Sequence, residues 1–271
     1  MFSENPGGSS GGTSSSSPWT TISTLGGRSL SQVATGNGIS MGIDKRGNVF
    51  GSSAGSGTWK QLDGLSSGLK YLTIGDGKIV GIDRYNEIYY RTGISLSRPF
   101  GTAWKQMDGQ AKQLSIGDGK IVAVRSDGAI LYRTGISRSN PYGDNWRSLP
   151  GRGKMISVGD GKIFSVRDDN SIWFRTGVSS SRPFGDNRGD DGWQMMEGRL
   201  KQIQLGNGVI AGVNDKNEMM IRNGNSWTKM PGRFDYVATG NGKVMGLTTD
   251  GALMSFSISD ITRTTPTDTT G

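Results

Sequence analysis

A chain of 271 residues with no cysteine and no histidine has no disulfide framework, no thiolate nucleophile and no imidazole to serve as base or metal ligand. Its formal charge of +8 suits an anionic partner and is equally compatible with ordinary solubility. Only 32% of residues are hydrophobic and 45 are glycine, yet the glycines stand at fixed places between short apolar runs, as the turns of an all-β chain require.

Residues 1–17, MFSENPGGSSGGTSSSS, read as a disordered Gly/Ser-rich arm. They lack the charged start and apolar middle of a signal peptide. No apolar run approaches the ~20 residues of a membrane span. The expectation is a cytoplasmic protein, or one exported to the cell surface by a non-classical route, without membrane insertion. A strand is predicted at Trp19–Thr24 (WTTIST), and from there the sequence repeats itself. A Gly-Asx-Gly turn occurs at Gly36, Gly75, Gly117, Gly159, Gly206 and Gly240. Each follows by 13 to 17 residues one of Trp19, Trp59, Trp104, Trp146, Trp193 and Trp227. At Gly75 the stretch GDGKIVGID superficially resembles a phosphate cradle. GxGxxG would need glycine at Val80, however, and a P-loop would need Ser or Thr at Ile79. A motif present six times is architecture before it is chemistry: Asp-Gly and Asn-Gly supply the positive φ of a tight hairpin.

The second unit reads LKYLTIG-DG-KIVGID-RYN-EIYYRTG, a loop, then WKQMDG. Its pieces are short, rich in Ile, Val, Leu and Tyr, and bounded by Gly, Asn or Asp, the signature of four antiparallel strands. Small residues recur in the second strand (Gly42, Gly81, Ala123, Ser165, Gly212, Gly246), where a neighbouring sheet is expected to approach closely. Six such units predict an all-β, six-bladed β-propeller over residues 18–258, because a ring hides sheet edges that a stacked array would leave open. The sixth unit, DYVATG-NG-KVMGLT-TDG-ALMSFSI, supplies only three strands. The strand at Trp19 is therefore predicted to close that last blade from outside. Residues 259–271 read as a Thr-rich flexible tail.

In a four-stranded meander the first and third turns share a face, which places the Gly-Asx-Gly turns beside the long third loops. That face carries Lys78, Lys120, Lys162 and Lys243, partly offset by Asp76, Asp118 and Asp160. From the long loops come Arg91, Arg98, Arg133, Arg138, Arg175 and Arg182, with Phe100, Tyr142 and Phe184 at the same loop position, each after a proline. Arginine forks suit vicinal sugar oxygens or phosphate, and the aromatic rings suit the apolar face of a pyranose. Both sets have a second reading, as loop anchors that bond carbonyls or a neighbouring blade's carboxylate. The serial tryptophans read as inter-blade packing. Trp173, outside that series, is the better individual ligand candidate. The second-turn acids Asp83, Asp127, Asp169, Asp215 and Asp250 read as turn formers.

The segments YRTGISLSRPFGTAW (Tyr90–Trp104), YRTGISRSNPYGDNW (Tyr132–Trp146) and FRTGVSSSRPFGDNR (Phe174–Arg188) resemble the tectonin repeat, as do the joins WKQMDG-QAKQLSIG and MEGRLKQIQLGNG. The resemblance runs from Trp19 to Ile258 and is strongest in the second to fourth units. It implies a lectin-type propeller related to fish-egg lectins and tachylectin-type proteins. It also implies recognition of glycans such as O-methylated sugars or bacterial lipopolysaccharide, in innate defence or at cell surfaces. Secreted animal members often carry cysteines and a leader, which this sequence lacks, so it resembles the cytoplasmic, fungal or slime-mould type. Units one and five shorten the third loop and unit six lacks it, so up to three of the repeated sites are expected to be degenerate. The expected partners are glycans or glycoconjugates, with no cofactor, no required metal and no specific nucleic acid. The alternative is a scaffold or self-assembling propeller, a homo-oligomer or larger assembly whose faces bind other proteins. A glycosidase would need paired carboxylates at one site. The acids that break the repeat, Asp190 and Asp191, fall in a glycine-rich insertion, and the sialidase SxDxGxxW box is missing.

Overall fold

The computed structural model describes residues 18–22, 28–53, 56–178, 182, 184, 185 and 192–261. The predicted terminal arm, most of the tail, and Asp190 and Asp191 lie outside them. Six four-stranded antiparallel sheets follow one another along the chain. Blade 1 is β2 (Leu30–Gly36), β3 (Ile39–Asp44), β4 (Val49–Ser53) and β5 (Lys60–Gln61). Blade 2 is β6 (Leu69–Gly75), β7 (Lys78–Asp83), β8 (Glu87–Thr92) and β9 (Ala103–Gln110). Blade 3 is β10 (Gln113–Gly117), β11 (Lys120–Val124), β12 (Ala129–Thr134) and β13 (Asn145–Arg152). Blade 4 is β14 (Met155–Gly159), β15 (Lys162–Val166), β16 (Ser171–Arg175) and β17 (Gln194–Arg199). Blade 5 is β18 (Gln202–Gly206), β19 (Val209–Val213), β20 (Met219–Asn223) and β21 (Ser226–Lys229).

Blade 6 takes β22 (Phe234–Gly240), β23 (Lys243–Thr248) and β24 (Leu253–Ser257) from the end of the chain, and its outer strand β1 (Thr20–Ile22) from the beginning. In that clasp Thr20 pairs with Ser255 and Ile22 with Leu253. Trp19 donates its indole N–H to the Pro231 carbonyl at 2.9 Å and lies against Phe234 and Phe256. The wheel is thus a six-bladed β-propeller, closed as the phase of the repeat predicts. Beyond β24 a single 3-10 turn, Ile258–Asp260, carries Ile261 into the apolar layer of blades 5 and 6.

The Gly-Asx-Gly turns hold the hub together in two ways. Asp76, Asp118 and Asp160, and Asn37, Asn207 and Asn241, all have φ between 48° and 55°, as a two-residue hairpin demands. The Asp76, Asp118, Asp160, Asn207 and Asn241 side chains also accept a hydrogen bond from the next blade. Asp76 accepts from the Gly119 amide at 2.7 Å, Asp118 from Gly161 at 2.8 Å, Asp160 from Gly208 at 2.9 Å, and Asn241 from Gly38 at 2.8 Å, closing the circle. The leading glycine of the motif gives the room: a Cβ on Gly75 or Gly117 would stand 2.4 Å from a carbonyl oxygen of the following blade.

Below the turns, buried glutamines join neighbouring inner strands. Gln113 donates to the Ile156 carbonyl and accepts from the Ile156 amide, both at 2.8 Å. Gln202 treats Val237 the same way at 2.6 and 2.8 Å. Each side-chain amide imitates a strand and satisfies a buried peptide group. Tyr71 and Tyr236 reach into the central channel, where burial pushes both phenols above their ordinary range. They leave a cavity of only about 40 Å³.

The small residues of the second strands make room mostly within their own blade, although at Gly246 the neighbouring sheet does approach as expected, Met219 of blade 5 standing 2.7 Å from a Cβ placed there. A Cβ on Gly42, Gly81 or Gly212 would strike Leu30, Leu69 or Leu200, the leading residue of the same blade. The vacated space is filled from within the blade, because the chain enters each blade by folding that leucine over its own second strand.

Candidate functional site

The first turns and long third loops do meet on one face, and there the blades part into clefts. One, about 580 Å³, lies between blades 2 and 3. One wall is the Asp76–Lys78 turn with Tyr90 and the stretch from Arg91, at the end of β8, to Ile94 of the loop that follows. The other is the Ser139–Gly143 segment of the next blade's loop with Arg133. A second cleft of about 410 Å³ repeats the arrangement between blades 1 and 2, lined by Asn37, Gly38 and Ser53 facing Ile94, Leu96 and Pro99.

The RTG arginines are the clamps that shape these walls. Arg91 and Arg133 are buried. Arg91 gives Nε to the Phe100 carbonyl at 2.8 Å and both terminal nitrogens to Asp63, at 2.6 and 2.9 Å. Arg133 repeats this with Tyr142 at 2.9 Å and Asp108 at 2.9 and 2.6 Å. Each fork therefore ties its own loop to the outer strand of the preceding blade. Its hydrogen bonds, above all, hold the Asp63 and Asp108 carboxyls below the usual carboxylate range. Arg175 gives Nε to the Phe184 carbonyl at 2.7 Å. The three guanidinium groups also lie 5.1 to 5.5 Å from the rings of Trp104, Trp146 and Trp193, within cation–π range. Those tryptophans are inter-blade anchors: their indoles donate to the carbonyls of Asp63, Asp108 and Pro150.

The loop aromatics fill the bases of the clefts. Tyr142 stacks on Tyr90 of the preceding blade with centroids 4.0 Å apart and donates its hydroxyl to the Arg91 carbonyl at 2.9 Å. Burial raises its phenol to about 12. Phe184 lies on Tyr132 at 3.7 Å. Phe100 is buried over Gly51, which stands where blades 2, 3 and 4 have Tyr90, Tyr132 and Phe174; a Cβ there would meet the Phe100 ring at 2.6 Å. Arg98, Arg138 and Arg182 are exposed at the loop tips. Arg98 and Arg182 share a loop position that Asn140 fills in blade 3, and Arg138 matches Leu96. Lys78 and Lys120 bend back to the carbonyls of Asp76 and Asp118, at 3.2 and 2.9 Å, on the rims.

Trp173 is not among these groups. It sits toward the other face, beside the second turn of blade 4 and the strand ends where the chain enters and leaves that blade. The second-turn acids there cap their own turns: Asp83 accepts from the Tyr85 and Glu87 amides, Asp127 from Ala129 and Asp169 from Ser171. Sequence reasoning passed over Asp63 and Asp108, the partners of the two clamps. Their signal was the acid of the LDG and MDG steps, present wherever a complete RTG loop follows except before blade 4, where Pro150 replaces it.

Six blades clasped by the amino-terminal strand form a β-propeller with clefts of mixed polar and aromatic lining between blades 1 and 2 and between blades 2 and 3. Residues 9–201 match the model of the Tectonin domain, and the chain belongs to the tectonin family. It is similar to the fish-egg lectin of Cyprinus carpio, with 30% identity over 101 residues, 35% of this chain and 40% of that lectin. The chain thus spans less than half the length of that relative. Among solved structures it is similar in fold to yeast RCC1 (Prp20) in its complex with Kap60, at a TM-score of 0.56 and 13% identity over 84% of this chain and 70% of that one. YCF48 of Cyanidioschyzon merolae follows at 0.55 and 14%, covering 86% and 84%. At such identities the likeness concerns the fold alone. No helix among the described residues is long and apolar enough to cross a membrane.

Proposed function

We propose that this protein is a multivalent, non-enzymatic glycan-binding propeller whose sugars enter the clefts between blades on the face of the Gly-Asx-Gly turns. The observation that carries the reading is the cleft between blades 2 and 3. Its stacked Tyr90–Tyr142 pair and Ile94 offer an apolar surface, while Lys78 and Asn140 stand at its polar rim. An apolar wall with a few convergent polar groups matches a pyranose, and an O-methyl group would find the same wall favourable. In this reading Arg91 and Arg133, whose forks are occupied by Asp63 and Asp108, hold the loops in place. The exposed Arg98, Arg138 and Arg182 reach toward the outer parts of a glycan or a lipopolysaccharide phosphate. The family membership and the fish-egg lectin likeness support the same class of ligand.

Repeated weak sites gain useful strength on a dense glycan surface through avidity. A glycan array carrying O-methylated and unmethylated sugars, with immobilised lipopolysaccharide alongside, tests the proposal. Binding that falls in a Lys78→Ala, Asn140→Ala variant and survives Lys216→Ala on the opposite face is expected. Absence of binding to every glycan, together with a discrete high-mass assembly in solution, would favour the scaffold reading instead.

A further inference from the structure

The face opposite the clefts carries a second concavity, about 550 Å³, around blade 4. Trp173 forms its half-buried floor, and the Arg167 guanidinium lies 3.5 Å from the indole centroid. Arg152 ends β13, where the chain enters the blade, and Arg199 ends β17, where it leaves; Met195, 66% exposed, stands beside Trp173 on the neighbouring strand. Asp168 and Asp169 also line the site, so three cations face two acids.

These groups are held in place before any ligand arrives. Trp173 donates its indole N–H to the Ser171 hydroxyl at 2.8 Å, and that hydroxyl donates to Asp169 at 2.6 Å. Arg152 bonds the Asp127 carbonyl, and Arg199 bonds the Asp169 carbonyl at 2.5 Å with the Asp169 carboxylate 3.9 Å away. One acid is therefore largely committed to Ser171 and Arg199. The Arg167 fork, by contrast, has no carboxylate partner among the described residues. It is a stacked, oriented cation with free donors.

The repeat supplies the argument that the cluster is not required by the fold. At the position of Arg167, blade 2 has Asp83, blade 3 has Arg125, which pairs with Asp127 at 3.2 Å, and blade 5 has Asn214. Where blade 4 has Trp173, blade 3 has Leu131 and blade 5 has Met220. The position of Arg152 is Gln110 before blade 3 and Leu65 before blade 2. Of blades 2 to 5, blade 4 alone has an arginine where the chain enters, on the second turn and where the chain leaves, around a tryptophan. Blades that dispense with these residues have the same architecture.

We propose that this concavity is a distinct ligand site for an oxyanion ester, a phosphate or sulfate group carried on a ring. The oxyanion would take the free donors of Arg167 with Arg152 and Arg199 at its flanks, since guanidinium forks match such groups in two-point geometry. The ring would lie along the Arg167–Trp173 stack and Met195. Phosphate and sulfate share this chemistry, and the experiment separates them.

Calorimetric titration with phenyl phosphate and phenyl sulfate, against inorganic phosphate and phenol as the two halves, is the test. The expected result is one site per chain for an ester, with either half alone at least about tenfold weaker. The stronger of the two esters identifies the oxyanion. Arg167→Asn and Trp173→Leu each place a residue that another blade already uses at that position, so the wheel is retained, as an unchanged melting temperature would show. Each is expected to weaken the ester about tenfold or more, while glycan binding by the clefts stays as it was. No saturable binding of either ester would overturn the proposal, as would affinity unchanged in both variants or several equivalent sites tracking the overall charge.

Discussion

Gly75 and Gly159 occupy the same place in the repeat, at the end of an inner strand, yet the structure gives alanine opposite consequences at the two. On Gly75 a Cβ would stand 2.4 Å from the Ile116 carbonyl oxygen, about 1 Å inside ordinary contact, which begins at 3.4 Å. The obstacle is backbone of the next inner strand, so relief requires blades 2 and 3 to part at the hub. Overpacking of this kind costs about 1–3 kcal/mol. On Gly159 the nearest atom would be 3.7 Å away, and φ is not in the left-handed region. There alanine fits, and restricting the unfolded chain contributes about 0.4–1 kcal/mol of stability. In a chain of this size 1 kcal/mol moves the melting temperature by about 2–4 °C. Gly75→Ala is therefore expected to melt about 2–12 °C lower than the parent and Gly159→Ala at or slightly above it, by calorimetry or circular dichroism. Equal melting temperatures for the two variants would refute the claim that the hub is tighter between blades 2 and 3 than between blades 4 and 5.

Trp19→Ala removes the anchor of the clasp, its bond to Pro231 and its contacts with Phe234 and Phe256. It is expected to cost about 2–3 kcal/mol in urea unfolding, and an unchanged midpoint would mean that β1 does not hold the ring shut. The lowered carboxyls of Asp63 and Asp108 contribute stability that is present above the unfolded carboxylate value near ~3.9 and is lost as pH falls through their lower folded values. An Asp63→Asn, Asp108→Asn variant should therefore have a flatter acid limb of stability from about pH 4 downward; parallel limbs in urea midpoints against pH would contradict the pairing with Arg91 and Arg133.

The wheel was legible in the sequence because its cause is local and repeated. Each Asx-Gly forces a hairpin, each tryptophan marks an outer strand, and the missing fourth strand of the last unit points to Trp19. What escaped notice was the contact between units. Asp76 reaching the Gly119 amide, and Gln113 pairing with Ile156, are relations between one repeat and the next. A turn residue that also bridges blades looks the same in sequence as one that only turns. The arginines were visible as a pattern, but their twofold reading was resolved toward anchoring by burial and by Asp63 and Asp108, which lie 28 and 25 residues away. Trp173 stood out by breaking the tryptophan series. Its companions Arg152, Arg167 and Arg199 did not, because only the geometry of two strand ends and one turn brings them around one ring.

The central claim is that sugar is held between blades on the face of the hairpin turns. A crystal structure of the protein soaked with a mono-O-methylated hexose tests it most directly. The account predicts the ring in the cleft of blades 2 and 3, its methyl against Tyr90 and Tyr142 and its hydroxyls near Lys78 and Asn140. A hexose seated in the central channel or over the opposite face, with the clefts empty at saturating sugar, would contradict it.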